Sequence, residues 1–188
     1  MKIGVSSYSF SHYMRQSQCD YFHLCDLAKE MGFEGIEFID LNTQIQPAPD
    51  MISLADAIRA HCEAIGLPII AYTVYGDFIA GADEVTRLKK QVDVCRHLGA
   101  KILRHDVSWT RELPWRDIIT QTAPAIRQVA DYAGKQGIRT CTENHGFVLQ
   151  DAHRVETLIL TVDHPNFGWL VDMGNFLCAD EPPMHAMP

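Results

Sequence analysis

Apolar runs of strand length begin near Ile3, Phe33, Leu67, Ala100, Ile138 and Phe167, and between them the apolar positions change to a helical spacing. In the first connection Leu24, Leu27, Ala28 and Met31 fall at i, i+3, i+4 and i+7 after Asp20, a residue suited to an N-cap, and Gly32 ends the helix. Phe33 to Asp40 then predicts a second strand. The next helix carries Leu54, Ile58, Cys62 and Ile65 on one face, starts near Ser53 and stops at Gly66, and Leu67 to Val74 follows as strand three.

The same device recurs twice more. Asp83 opens a helix with Val85, Leu88, Val92 and Cys95 inward, and Gly99 closes it before a strand from Ala100 to Val107. A longer helix runs from about Pro114 to Gly137, with Pro124 as a predicted kink. Strand five enters from Gly137, and a shorter helix spans about Asp151 to Leu160, ended by His164-Pro-Asn in place of glycine. Phe167 begins strand six. After it, Ala179 to Pro188 has three prolines in ten residues and reads as an aperiodic loop.

Strands that alternate with helices predict a parallel sheet with right-handed crossovers, because parallel neighbours cannot be joined by a tight turn. Two architectures do this. A doubly wound nucleotide-binding sheet carries a glycine-rich loop after its first strand, and Val5 to His12 contains no glycine. A (β/α)8 barrel instead places polar residues at the C-terminal ends of many strands, and that pattern is present in Ser7, Glu37, Thr73, Arg104, Glu143 and Asp172. Eight such units need roughly 250 residues. The chain is therefore read as a TIM-barrel type with about six βα units, 1–188 being a single domain short of two units at its C-terminus.

The chemistry gathers at Gly137 to His145, a strand that delivers Glu143, Asn144 and His145 to its C-terminal end. Asp172 and Asn175 end the next strand, Asp172 lying 29 residues after Glu143. Two carboxylates at the same end of adjacent parallel strands suit a divalent metal or acid/base work; each could equally cap the helix that follows. A formal charge of −8, from 24 acidic and 16 basic residues, argues against nucleic acid or an anionic membrane as the main partner. The six cysteines form no Cys-x-x-Cys pair, and the chain shows no signal sequence or apolar run of spanning length. These features predict reduced thiols and a cytoplasmic location.

Met1 to Phe10, Gly32-Phe-Glu-Gly-Ile-Glu-Phe38, Thr142-Glu-Asn-His-Gly146 and Val171-Asp-Met-Gly-Asn175 together resemble the xylose isomerase-like barrel superfamily. That superfamily includes sugar isomerases, ketose epimerases, inosose dehydratase and endonuclease IV. The resemblance implies a divalent cation, often Mn2+, Mg2+, Co2+ or Zn2+, held by a Glu and an Asp that match Glu143 and Asp172, with two further ligands lying beyond Pro188. It implies isomerase or epimerase chemistry on a sugar or polyol through an enediolate, with Glu143 as a proton-transferring base. A dehydratase-like lyase, an endonuclease-IV-like phosphodiesterase and a non-catalytic binding remnant are the alternatives.

Around that pair, Glu37, Arg104, His145 and Asn175 are candidate substrate contacts, and Trp109 could offer an apolar face to a sugar ring. Each also has a structural reading, as a polar barrel layer, a loop histidine or a packing tryptophan. His23, His61 and His97 lie on helices away from the expected site and read as structural or surface residues. A chain ending at Pro188 leaves the first and sixth strands as open apolar edges, which predicts self-association into a homo-oligomer.

Overall fold

In the computed structural model, which describes residues 2–81 and 83–186, six parallel strands alternate with helices along the chain. The elements are β1 (Val5–Ser6), α1 (Ser11–Ser17), α2 (Tyr21–Glu30), β2 (Ile36–Ile39), α3 (Met51–Ile65), β3 (Ile69–Val74), α4 (Asp83–Leu98), β4 (Ile102–His105), α5 (Trp115–Gly134), β5 (Arg139–Glu143), α6 (Ala152–Val162), β6 (Phe167–Leu170) and α7 (Pro183–Ala186). They fall into two units: residues 1–74 with 91–103, and residues 75–90 with 104–188.

In the first unit β1, β2 and β3 pair in parallel, Ser6 standing opposite Glu37 and Phe38 opposite Tyr72. Ile36 and Phe38 of β2 are fully buried, as are Leu24, Cys25 and Ala28 of α2 and Leu54, Ala55 and Ile58 of α3. The i, i+1, i+4 spacing of these helix residues forms the apolar stripe that covers a sheet. In the second unit β5 and β6 pair in parallel, with Glu143 opposite Leu170. Ile118, Ile126 and Val129 of α5 and Val155, Leu158 and Val162 of α6 are buried.

Helix boundaries follow side-chain chemistry. Asp20, Asp50 and Asp151 each accept a hydrogen bond from the backbone N–H three residues on and so start α2, α3 and α6. The cap at Asp50 places the start of α3 at Met51, ahead of the Ser53 expected from the sequence, because Ser53 supplies the N–H that is capped. α3 ends at Gly66 in the left-handed region (φ 66°).

Three expectations need correction. The first strand is two residues long, because Ser6 turns its hydroxyl onto the Tyr8 N–H and the chain enters a 3-10 turn at Ser7–Phe10 and then α1. Asp163, at φ 43°, ends α6, so the stop lies one residue before His164-Pro-Asn. The C-terminal stretch is not aperiodic: Asn175–Ala179 is a 3-10 turn and Pro183 opens α7, since proline fits a first helical turn even where it would break an interior one.

Cys19, Cys25, Cys62, Cys95 and Cys141 are buried, Cys178 is exposed, and all six are free thiols. Among the described residues no helix is long and apolar enough to cross a membrane.

Candidate active site

The second unit brings six of the singled-out residues together. β4 ends on Arg104 and His105, β5 ends on Glu143, and Asp172 lies two residues beyond the end of β6. What fixes Asp172 is Asn144, which is fully buried. Its Oδ1 accepts from the Asp172 N–H at 2.8 Å and from Trp169 Nε1 at 3.2 Å, while its Nδ2 donates to the Asp172 carbonyl at 2.7 Å. A side-chain amide thus continues the ladder past the last residue of β6.

Asp172 Oδ1 then accepts from the N–H groups of Gly174 and Asn175, at 2.7 and 3.1 Å. This local turn is the structural role open to a strand-end aspartate. It also aims Asn175, whose Nδ2 donates to Glu143 Oε1 at 2.9 Å. The other Glu143 oxygen, Oε2, is paired with Arg104 Nη2 at 2.9 Å, and the same nitrogen reaches Asp106 Oδ1 at 2.8 Å. Arg104 is 7% exposed in its side chain and Glu143 18%, so the pair is largely withdrawn from water.

Burial pushes the Glu143 carboxyl up to about 7, the nearby Asp172 and Asp106 carboxylates adding to the rise while Arg104 opposes it. An ordinary glutamate at neutral pH is fully ionised; this one sits near its midpoint.

Asp106, which the sequence reading passed over, is the hub of the neighbouring loop. Its Oδ2 accepts from Trp109 Nε1 at 3.3 Å, and its Oδ1 stands 3.9 Å from His145 Nδ1. Trp109 stacks on Tyr75 with ring centres 6.2 Å apart and meets His145 edge-on at 5.1 Å. The Gly76 backbone lies so close that a Cβ there would come within 2.5 Å of the Asp106 carbonyl oxygen. Trp109 and His145 therefore form an aromatic corner beside the Arg104 and Glu143 pair, with Trp109 also packing its loop.

His105 differs from its neighbours. It is fully buried between Phe78 and Phe167, its Nδ1 donates to the Asp106 carbonyl at 3.0 Å, its Nε2 has no partner, and burial pushes it down to about 4. It is a neutral core histidine. Glu37 belongs to the first unit, where it accepts a hydrogen bond from the Thr73 hydroxyl. His61 and His97 pair with Asp26 and Asp56 on helix surfaces, as the sequence suggested.

Two adjacent carboxylates, Glu143 raised by burial and further by Asp172, are a donor set that a hard divalent cation would relieve. Glu143 and Asp172 fit such a cation as two oxygen ligands of a larger shell. Among the described residues no group of three or more His, Cys, Asp or Glu is arranged to hold a metal ion.

Alternating parallel strands and helices, with carboxylates gathered past the strand ends, define an α/β fold of the TIM-barrel class. The chain belongs to the xylose isomerase-like TIM barrel family, whose profile matches residues 25–187. Among solved structures it is similar to the probable 3-DHS dehydratase AsbF of Bacillus anthracis, at TM-score 0.78 and 18% identity, covering 99% of this chain and 68% of that one. It also resembles a sugar phosphate isomerase/epimerase of Parabacteroides distasonis, at TM-score 0.74 and 15% identity over 99% and 70% of the two chains. The 3-keto-D-glucoside 4-epimerase YcjR of E. coli follows at TM-score 0.70 and 13% identity, over 89% and 69%. The chain spans about two thirds of the length of each. No curated protein matches its sequence.

Proposed function

We propose that the protein transfers a proton at the carbon next to a carbonyl in a sugar or sugar-like polyol, as an isomerase or epimerase working through an enediolate. The observation that carries this reading is Glu143: a carboxyl near neutral pKa, with one oxygen on Arg104 and the other on Asn175. A base that must take a proton and return it works best when its pKa lies near the working pH. The neighbours named in the comparisons support the substrate class, since they are a sugar phosphate isomerase/epimerase and a keto-glucoside epimerase.

In this reading Glu143 takes the proton from substrate carbon and returns it to the adjacent carbon on the same face, whereas inversion at one carbon takes a second proton donor on the opposite face. Arg104, held by Asp106, keeps a positive charge beside the oxygen that becomes anionic. Asn175 holds the base in place, and the corner of Trp109 and His145 shields the reacting face from water. A divalent cation held by Glu143 and Asp172 would supply Lewis-acid polarisation of the substrate carbonyl. A dehydratase shares the first step, and the likeness to a probable dehydratase keeps that reading second.

The test is solvent-deuterium exchange into ketoses and keto-polyols, with Mn2+, Mg2+, Co2+ or Zn2+ supplied. Deuterium is expected at the carbon next to the carbonyl, and Glu143→Gln is expected to slow its entry at least about a thousandfold. Wild-type exchange that survives unchanged in E143Q would refute the assignment. Loss of water from the labelled substrate would move the reading to the dehydratase.

A further inference from the structure

Within the first unit, α2 and α3 meet along a series of matched contacts. Phe22 stacks on His61 with ring centres 4.8 Å apart, Asp26 Oδ1 pairs with His61 Nε2 at 2.8 Å, and Lys29 Nζ donates to the Gly66 carbonyl at 2.8 Å. Phe22, Asp26 and Lys29 are spaced four and three residues apart and so share one helix face. In the middle of this zipper, Cys25 and Cys62 place their sulfur atoms 3.4 Å apart in a thiol hydrogen bond. Both residues are buried, at 0% and 2% exposure.

We propose that Cys25 and Cys62 are a reversible oxidation site, at which a peroxide converts the paired thiols into a disulfide joining α2 to α3. A disulfide needs sulfur atoms at about 2.05 Å, so closure asks for an approach of little more than an ångström between groups already aligned by contacts on either side. The oxidant has a route. Cys62 lines an open cavity of about 360 Å3 together with Arg59, Glu63, Pro68 and Gly99.

Hydrogen bonding to Cys25 holds the Cys62 thiol below its ordinary range against the opposing effect of burial, while the same contact and burial raise Cys25. Cys62, the one of the pair that lines the cavity, is the attacking sulfur. Its thiolate displaces hydroxide from hydrogen peroxide to give a sulfenic acid. Cys25, passing its proton to the departing hydroxyl, then attacks that sulfur and releases water. Two thiols and one peroxide thus give one disulfide and two waters, the sulfurs losing the two electrons that the O–O bond gains. A dithiol reductant reverses the step by exchange.

The bond would close a loop across 37 positions of sequence that contains β2 with Glu37 and the connection to α3. That segment would be ordered by oxidation, independently of any chemistry at Glu143.

The experiment uses the full chain carrying Cys178→Ser, which removes the exposed thiol, reduced and then treated with hydrogen peroxide. Non-reducing peptide mapping is expected to find Cys25 linked to Cys62, with a 2 Da loss of intact mass. The Tm is expected to rise by about 5 °C or more, and a dithiol to reverse both changes. With Cys25→Ser, dimedone should trap a sulfenic acid at Cys62. The wild-type pair decides the matter even if that variant folds poorly. Recovery of both cysteines as free thiols after peroxide has fully oxidised the Cys178 of a parallel wild-type sample would overturn the proposal, as would a disulfide joining either one to a different cysteine.

Discussion

Glu143 is pulled in two directions, up by burial and by Asp172 and Asp106, and down by Arg104. Because its folded pKa of about 7 lies above the ordinary 4.5, its contribution to stability is full below pH 4.5 and is lost as pH rises through 7. The metal-free protein is therefore expected to lose about 2–3 kcal/mol between pH 5 and pH 8 from this group, and E143Q to lose none of it. Denaturant unfolding across that range checks this, and parallel profiles for the two proteins would refute it. His105 acts at the other end. Its folded pKa of about 4 is below the ordinary 6.5, so its contribution is present above pH 6.5 and fades as pH falls through 4. Arg104 was legible in the sequence as a charge at a strand end. Asn144 was named at the strand end but given no role, although its position between Glu143 and His145 puts it on the opposite face of the strand by the two-residue period. An amide on a buried face must be bonded, and Asn144 makes three hydrogen bonds to the stretch from Trp169 to Asp172. Asn144→Ala is expected to cost about 2–4 kcal/mol, read by thermal or denaturant unfolding.

At the level of elements, the sequence was most informative where a chemical device sets a boundary. Asp20 and Asp151 gave the starts of α2 and α6, and Gly32 and Gly66 the ends of α2 and α3, to within two residues, because a cap needs a side-chain acceptor at one position; Asp50, the cap of α3, was missed in favour of Ser53. It was least informative at β1 and in the C-terminal segment. There serine hydroxyls compete with the ladder, and prolines start a helical turn, so apolar spacing alone misreads both. The stop of α6 is a case where the chain departs from the cheapest residue. Asp163 occupies a left-handed conformation that glycine adopts without strain. Asp163→Gly is expected to stabilise the protein by about 0.5–1 kcal/mol, and Asp151→Ala at the other end to destabilise it by about 1 kcal/mol. Melting curves of the two variants should move in opposite directions.

For the molecule as a whole, the alternation of strand and helix periods was enough to give the α/β fold class, and the ordered motifs gave the xylose isomerase-like family that the profile match shows. Arg104 and Asn175, which hold Glu143, were named from the sequence as substrate contacts, but the residues behind them, Asp106 and Asn144, were given no role, because they act through loop geometry that period and composition do not encode. With two carboxylates offered, divalent cations are expected to bind weakly, above micromolar Kd, and Asp172→Asn to abolish the binding; a submicromolar affinity for Mn2+ by calorimetry would contradict this. The Asn144 clamp has a last consequence, for how slowly one proton leaves. The Asp172 amide lies outside β6, where exchange with solvent deuterium is ordinarily fast, yet it is held by a side chain that water does not reach. It should exchange with the slowest amides of the sheet, on global opening of the chain, and should fall to the rate of a surface loop once Asn144 is replaced by alanine.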